Sequence, residues 1–249
     1  MPELAIVTGA SSGIGLEIAK LAADTPFVDA GAGLGAFGAD VTKIECDLST
    51  EQGVRQLLDA AGGRYVDLLV ANAGIGLGHG FLEQSPAEWR RVVDTNITGT
   101  LLLLQPVLKA MVARGAGRVL ITGSIVGHIP GSFQAVYSAT KAFINSFAAA
   151  VGDELKDSGV TVTCLKPGAT ETEIFARADM LDTRIGQSKK ADSADTARFG
   201  WQAMLKGERA VVDGLFNKAQ VIGAGIVPES VTAAAHRALA EPGSGKDQR

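Results

Sequence analysis

Residues 4–8, 42–46, 68–71, 118–122 and 161–165 are short apolar or β-branched runs, and helical patterns at 14–23, 50–61, 86–114 and 135–158 separate them. A strand that is apolar at successive positions, not at every second one, has both of its faces covered. Strands of that kind alternating with helices predict an α/β fold, a doubly wound parallel sheet with right-handed crossovers. At 249 residues, 46% of them hydrophobic, the chain fits one such domain, expected over residues 1–240. No internal repeat and no Pro/Ser-rich linker divides it. Two segments fit less well. Residues 25–38 hold four glycines and follow neither period, and the polar stretch 241–249 is expected to be a disordered tail.

Charge narrows the function. The net charge is −4, and Lys and Arg are scattered with no basic stripe, so neither nucleic acid nor a membrane surface is the expected partner. The leucines 101–104 are too few to span a bilayer and lead into Pro106. The chain starts without a basic segment, apolar core and cleavage site, so a cytoplasmic location is expected. Cys46 and Cys164 lie inside apparent strands, without metal spacing or a neighbouring histidine, and read as small buried residues. No metal site is expected.

The first strand runs into Thr8-Gly9-Ala10-Ser11-Ser12-Gly13-Ile14-Gly15 and then into the first helix. Glycines in such a turn admit positive φ and let a phosphate approach the backbone. The free N–H groups and dipole of the helix start attract its charge. The turn's place, after the first strand and before further strand-helix units, predicts a dinucleotide site.

Further along, Tyr137 and Lys141 stand four residues apart, on one face of a predicted helix. Ser124 ends the fourth apolar run, and Asn96 lies upstream in the long helical pattern. A hydroxyl, a phenol and a cation at the end of a strand suit proton transfer to a carbonyl or alcohol oxygen. A free tyrosine, with a pKa of about 10, is a poor proton donor near neutrality, and a nearby cation brings it down.

The Gly9/Gly13/Gly15 spacing, Asn72-Ala73-Gly74, Asn96, Ser124, Tyr137-x-x-x-Lys141 and Pro167-Gly168 occur in one order over residues 4–175. Together they resemble the short-chain dehydrogenase/reductase family. The extended branch of that family uses a wider glycine spacing, which this turn lacks. The resemblance implies an NAD(P)-dependent oxidoreductase acting on a small-molecule carbonyl or alcohol. Tyr137 would be its acid/base, Lys141 would lower the tyrosine's pKa and hold the ribose, Ser124 would position substrate, and Asn96 would join a proton relay through water.

The same resemblance assigns the cofactor's neighbours. Gly9, Ser11, Ser12, Gly13, Ile14 and Gly15 would cradle the pyrophosphate. Asp47 would bind the adenine ring with Leu48 beside it, although an aspartate there also reads as a turn or cap residue. Asn72, Ala73 and Gly74 would let the backbone approach the cofactor; the usual family form has a second asparagine where this chain has Ala71. Pro167 and Gly168 would close on the nicotinamide, with Thr170 or Thr172 on the pyrophosphate or carboxamide. Residues 174–190 fall where the family places a mobile substrate lid. Phe175, Met180, Leu181, Ile125, Val126, His128, Ile129 and Phe133 are candidates for its pocket. His79 and His128 have no recognisable partner and read as surface residues.

One departure stands out. The stretch between Gly15 and Asp47 is shorter than the family pattern, and no Arg or Lys occurs between Lys20 and Lys43. An acidic residue there would bind a ribose hydroxyl and an arginine a 2′-phosphate, which decides between NAD and NADP. Three readings stand: Asp29 ends a short second strand and favours NAD, the adenosine site is open and unselective, or the segment is damaged and binds cofactor weakly. Residues 194–217 resemble a bacterial subgroup that prefers NADP and takes broad carbonyl substrates, which leans the cofactor toward NADP. The rival to the enzyme reading is a non-catalytic nucleotide-binding or sensing protein on the same fold. The helices at 86–114 and 135–158 match the pair that builds the family's homodimer or homotetramer. Ala142, Ala148, Ala149, Ala150 and Gly152 offer small surfaces for that packing.

Overall fold

In a computed structural model, residues 4–24 and 40–245 are described. Five strands, β1 (Ala5–Val7), β2 (Leu68–Ala71), β3 (Gly117–Thr122), β4 (Val160–Lys166) and β5 (Ala210–Val212), form one sheet in that spatial order. Every pairing is parallel, with Val7 opposite Val70, Val70 opposite Leu120, Ile121 opposite Cys164 and Leu165 opposite Val211.

Helices cover both faces, and the strand residues divide between them. Ala5, Leu68, Val70, Leu120 and Leu165 pack on α1 (Gly13–Asp24) and α8 (Ser193–Lys206) through Ile18, Ala19, Ala22, Trp201 and Met204. Their neighbours Ile6, Leu69, Ala71, Val119, Ile121 and Cys164 turn the other way. They meet Val54 of α2 (Glu51–Asp59), Leu104 and Met111 of α4 (Thr100–Arg114), and Ile144 and Ala148 of α5 (Ala135–Glu154). Successive side chains leave a strand on opposite faces, so a strand buried on both must be apolar throughout. The doubly wound reading of the sequence holds.

Local chemistry fixes the helix ends. Thr50 caps α2 by accepting from Gly53 N at 3.0 Å. Ser85 and Glu88 form a capping box at α3 (Pro86–Val93), with Pro86 in the first turn, where its missing N–H costs nothing. Gly115, at φ 72°, ends α4 in the left-handed conformation that glycine adopts without strain.

Three expectations change. Residues 42–46 are not a strand: 40–47 are irregular, exposed or half-exposed, and no strand among the described residues pairs with them. β-branched composition marks a surface able to pair, and without a neighbouring ladder it does not hold the chain extended. The helical run 86–114 is not uniform, because a π turn over Asp94–Gly99 separates α3 from α4. The tail is docked as far as residue 245: Gly243 N donates to Asp182 Oδ2 at 2.7 Å, and Arg184 N donates to Ser244 Oγ at 3.0 Å. Residues 25–39, with Asp29 and the shortened second strand-helix unit, lie outside the described residues, as do 246–249.

After α5 the chain adds two short helices, α6 (Ile174–Arg177) and α7 (Arg184–Gln187), and after β5 a pair, α9 (Leu215–Ala224) and α10 (Glu229–Ala240). Phe175, Ala178, Met180 and Ala240 form a small separate core beneath them.

Candidate active site

The carboxyl ends of β1, β2 and β3 are tied together by hydrogen bonds. Thr8 Oγ1 donates to Val70 O at 3.1 Å and accepts from the backbone N–H groups of Asn72 and Ala73, both at 3.0 Å. Asn72 Nδ2 returns to Thr8 O at 3.2 Å, and Thr122 Oγ1 donates to Asn72 Oδ1 at 3.0 Å. Gly9 and Gly13 have φ of 65° and 56°. A Cβ on Gly15 would overlap Gly9 O and Asn72 Nδ2, so only glycine lets α1 start this close to the β2 end.

One large cavity of about 820 Å³ opens at this edge of the sheet. Gly9, Ser11, Ser12, Gly13, Ile14, Asn72, Ala73, Gly74, Pro167, Gly168, Thr170 and Thr172 line it, together with Ser124, Tyr137 and Lys141. The sequence candidates from the glycine turn, the Asn72 turn, the catalytic helix and the Pro167 loop therefore share one space. Ile125, Val126, Ile129, Phe175 and Met180 also line it, whereas Leu181, His128 and Phe133 do not.

Four candidates stand apart from the lining. Gly15 lies behind it against Gly9. Asp47 is exposed and accepts from Ser49 N at 3.0 Å and Ser49 Oγ at 2.7 Å, which hold its carboxyl below the usual range. This is the geometry of a turn aspartate opening α2. Leu48 packs against the second core face, and its carbonyl lies where a Cβ on Gly99 would sit. Asn96 is buried in the π turn, just behind Gly74. Its Nδ2 donates to Ile75 O and Thr140 Oγ1, both at 3.0 Å, and its Oδ1 accepts from Ile75 N at 2.9 Å. It braces the β2 loop against α5. The π turn inserts one residue into the helical register and so turns this side chain inward.

The catalytic candidates are held by α5 and the β3 end. Lys141 Nζ donates to Thr122 O at 2.8 Å and lies 5.9 Å from the centre of the Tyr137 ring. The Tyr137 phenol neighbours the Ser124 hydroxyl, which favours its ionised form. Ser124 Oγ accepts from Val126 N at 3.2 Å and reaches Pro167 O at 3.4 Å. Burial pushes the Tyr137 phenol up to about 12, against the lowering effect of Ser124, and brings Lys141 down to about 8, against the opposing effect of Cys164. In the protein alone, then, burial outweighs the help of Lys141 that the sequence suggested. The phenol carries its proton at neutral pH, and Lys141 is mostly an ammonium below about 8.

Sequence reasoning passed over several buried polar residues. Asn145 Nδ2 donates to Ser124 O at 2.9 Å while its Oδ1 faces Ser124 N at 3.4 Å, so one amide holds both sides of that residue's backbone. The signal was there: Tyr137, Lys141 and Asn145 recur every four residues on one helix face. Thr140, which links Asn96 to Tyr137 O at 2.7 Å, is another. His79 does have a partner, Asp179 Oδ2 at 3.0 Å, in an exposed pair. His128 is half-buried, with Nε2 unpartnered among the described residues.

The family model described as short chain dehydrogenase matches residues 3–180. The chain belongs to that family. It is 34% identical to a 3-oxoacyl-[acyl-carrier-protein] reductase of Vibrio cholerae over 188 residues, 69% of this chain and 75% of that protein. An uncharacterized oxidoreductase of Myxococcus xanthus is 36% identical over 191 residues, covering 69% and 74%. Among solved structures, a short-chain dehydrogenase of Burkholderia phymatum in complex with NAD superposes with a TM-score of 0.81 at 23% identity, covering 89% and 92%. One of Sphingobium yanoikuyae in complex with NADPH gives 0.78 at 24%, covering 91% and 95%. Those two likenesses speak to the fold. This short-chain dehydrogenase is an NAD(P)-dependent oxidoreductase.

The residues present fit that cofactor. The positive-φ Gly9 and Gly13 leave the backbone bare beside the start of α1, where Ser11, Ser12, Gly13 and Ile14 line the cavity. Lys141, which keeps N–H groups beyond the one given to Thr122 O, and Thr172, whose hydroxyl accepts from Ile174 N and keeps its hydrogen, stand on the same lining; the Thr170 hydroxyl donates to Gly168 O. Lys141 and Thr172 are thus donors of the kind that a dinucleotide's phosphate and ribose oxygens require.

Proposed function

We propose that this enzyme reduces a ketone or aldehyde, or oxidises the matching secondary alcohol, with Tyr137 as its acid/base. The observation that carries the reading is the common opening of Tyr137, Ser124 and Lys141 into the cavity that the glycine turn also lines. When bound, the nicotinamide supplies or accepts the hydride. The chain's own residues handle the oxygen. Ser124 Oγ hydrogen-bonds the substrate oxygen and fixes it beside the phenol. Tyr137 gives that oxygen its proton as negative charge develops there, and takes it back in the oxidative direction. Lys141, still cationic at neutral pH, stabilises the phenolate left behind and offers its remaining N–H groups to the ribose. Asn96, with both N–H groups committed, keeps the β2 loop and α5 in register, and its Oδ1 retains a lone pair for a relay water.

The cofactor is NAD or NADP, with a lean to NADP from the subgroup resemblance. The substrate is a small molecule, the enzyme works in the cytoplasm, and it acts as a homodimer or homotetramer. Support for the oligomer comes from an apolar groove between α4 and α5, lined by the half-buried Leu101, Phe147 and Val151 and the exposed Val112. The run Pro86–Arg114 is long and apolar enough to cross a membrane by length and composition alone. However, Leu103, Leu104, Val107, Leu108 and Met111 are buried against the sheet, which supports a core helix.

The test is steady-state turnover of NADPH and NADH across a panel of ketones and aldehydes. Tyr137→Phe should lower kcat at least about a hundredfold while leaving cofactor binding in place. Full activity in Tyr137→Phe would remove the catalytic assignment. Absence of nicotinamide binding in the wild type would favour the non-catalytic reading.

A further inference from the structure

α9 and α10 both border the active-site cavity, and their anchor points fix which part of it they cover. A Cβ on Gly168 would lie 2.5 Å from Asn217 Nδ2, so α9 starts beside the Pro167 loop. The helix also packs on Ile125–His128, the turn that follows Ser124. α10 is fastened to the segment that leads into α5: Ser132 Oγ donates to Ala233 O at 3.2 Å, and His236 Nδ1 meets Ser132 O at 3.0 Å. The pair therefore stands on the Ser124 and Tyr137 side of the cavity.

Phe216, Asn217, Gln220, Gly223 and Ala224 line the cavity at helical spacing, so one face of α9 is turned toward it. The two amides, Asn217 and Gln220, come first along that face. Beyond them the lining is Gly223, Ala224 and, past the helix end, Val227. Ala224 lies two turns from Asn217, roughly 10 Å along the axis. Leu239 of α10 borders the same space. Phe216, Val227 and Leu239 are 75%, 39% and 43% exposed, and α9 buries none of its residues. Apolar side chains that border a cavity and stay open to solvent gain when an apolar group covers them. Gly223 leaves the room for one: a Cβ built on it would meet nothing within 4 Å.

We propose that the α9–α10 wall of the cavity holds an alkyl tail of the substrate, so that the enzyme's substrates are aldehydes or ketones carrying a straight aliphatic chain of about eight carbons, the length that spans those two helical turns. The inference rests on the reductase reading above and names its substrate class.

The test measures kcat/KM for straight-chain aldehydes and 2-ketones of increasing length, using the full-length enzyme with NADPH and with NADH. The value should rise about threefold per added methylene and level off at about eight carbons. Gly223→Leu puts a side chain into the unfilled space and replaces a residue that helices disfavour, so the fold should survive it. It should cut the ratio of long-chain to short-chain kcat/KM at least about tenfold. Leu239→Ser, which changes a half-exposed side chain on the facing helix, should lower the same ratio by a smaller factor. Ile222→Ser is the control: Ile222 is 68% exposed on α9 but off the cavity lining, and the ratio should stay at its wild-type value. Equal kcat/KM at every length in the wild type would overturn the proposal, as would a length preference that survives both Gly223→Leu and Leu239→Ser or one that Ile222→Ser removes. A wild type that binds nicotinamide but turns over no member of either series would overturn the reductase reading itself, and this assignment with it.

Discussion

Replacing Lys141 by methionine should make the protein's stability respond differently to pH, by an amount the burial of that ammonium sets. Burial lowers its pKa from an ordinary 10.5 to about 8. At about 1.4 kcal/mol per pH unit, the fold below pH 8 carries roughly 3 kcal/mol of penalty for holding the charge. The sign follows from where the proton binds better. Between about 8 and 10.5 the unfolded chain keeps its proton and the folded one releases it, so wild-type stability rises with pH across that window. Tyr137 acts in the opposite sense only above its ordinary value of 10.0, where the folded protein holds the phenolic proton up to about 12. Burial also raises the Cys46 and Cys164 thiols from 9.0, which lowers stability over the same interval in both proteins, so the difference between variant and wild type from pH 7 to pH 10 reads the lysine. Methionine, of similar length, removes the charge and the hydrogen bond to Thr122 O, a loss of about 1 kcal/mol with little dependence on pH. Urea unfolding followed by the fluorescence of the buried Trp201 gives the stability of both proteins at each pH. The variant's stability relative to wild type should fall by roughly 2–3 kcal/mol from pH 7 to pH 10. A difference constant to within about 0.5 kcal/mol would show that the ammonium is not desolvated as its surroundings imply.

Three other substitutions read separate parts of the site. Thr8→Val removes the hydroxyl that serves Asn72 N, Ala73 N and Val70 O, and should cost about 2–4 kcal/mol in urea unfolding while weakening nicotinamide binding. Gly15→Ala puts a methyl into Gly9 O and should abolish cofactor binding in a fluorescence titration, with any surviving fold less stable. Asn145→Leu leaves the Ser124 backbone without its amide partner; kcat should fall at least about tenfold with the Kd for NADPH unchanged, because Asn145 stays off the cavity lining.

Much of this was legible because the physics is local. β1 to β4 follow from apolar runs that burial on both faces requires, and α3 and α4 fall within the helical pattern read over 86–114. The spacing of Tyr137 and Lys141 gave the face they share. It could not give their depth, and depth is what moves the phenol up and the ammonium down. Residues 42–46 carry strand composition without a strand to pair with, a fact that lies in the neighbour and not in the segment. β5 and helices α8 to α10 went unread because Ala210–Val212 is too short for a periodicity signal and α9 buries none of its residues.

The π turn at Asp94–Gly99 sets the local preference of a helix against the demands of the site. Deleting one residue there would let Pro86–Arg114 close into an unbroken α-helix, whose backbone bonds are better formed. It would also rotate everything on one side of the deletion by about 100°, carrying Asn96 away from Ile75 and Thr140. The same rotation would turn Val92 of α3, or Leu104 and Met111 of α4, out of the core, so such a deletion should lower stability despite the better helix. Engineering this scaffold for stability should leave the length of that segment fixed and look for its gains elsewhere.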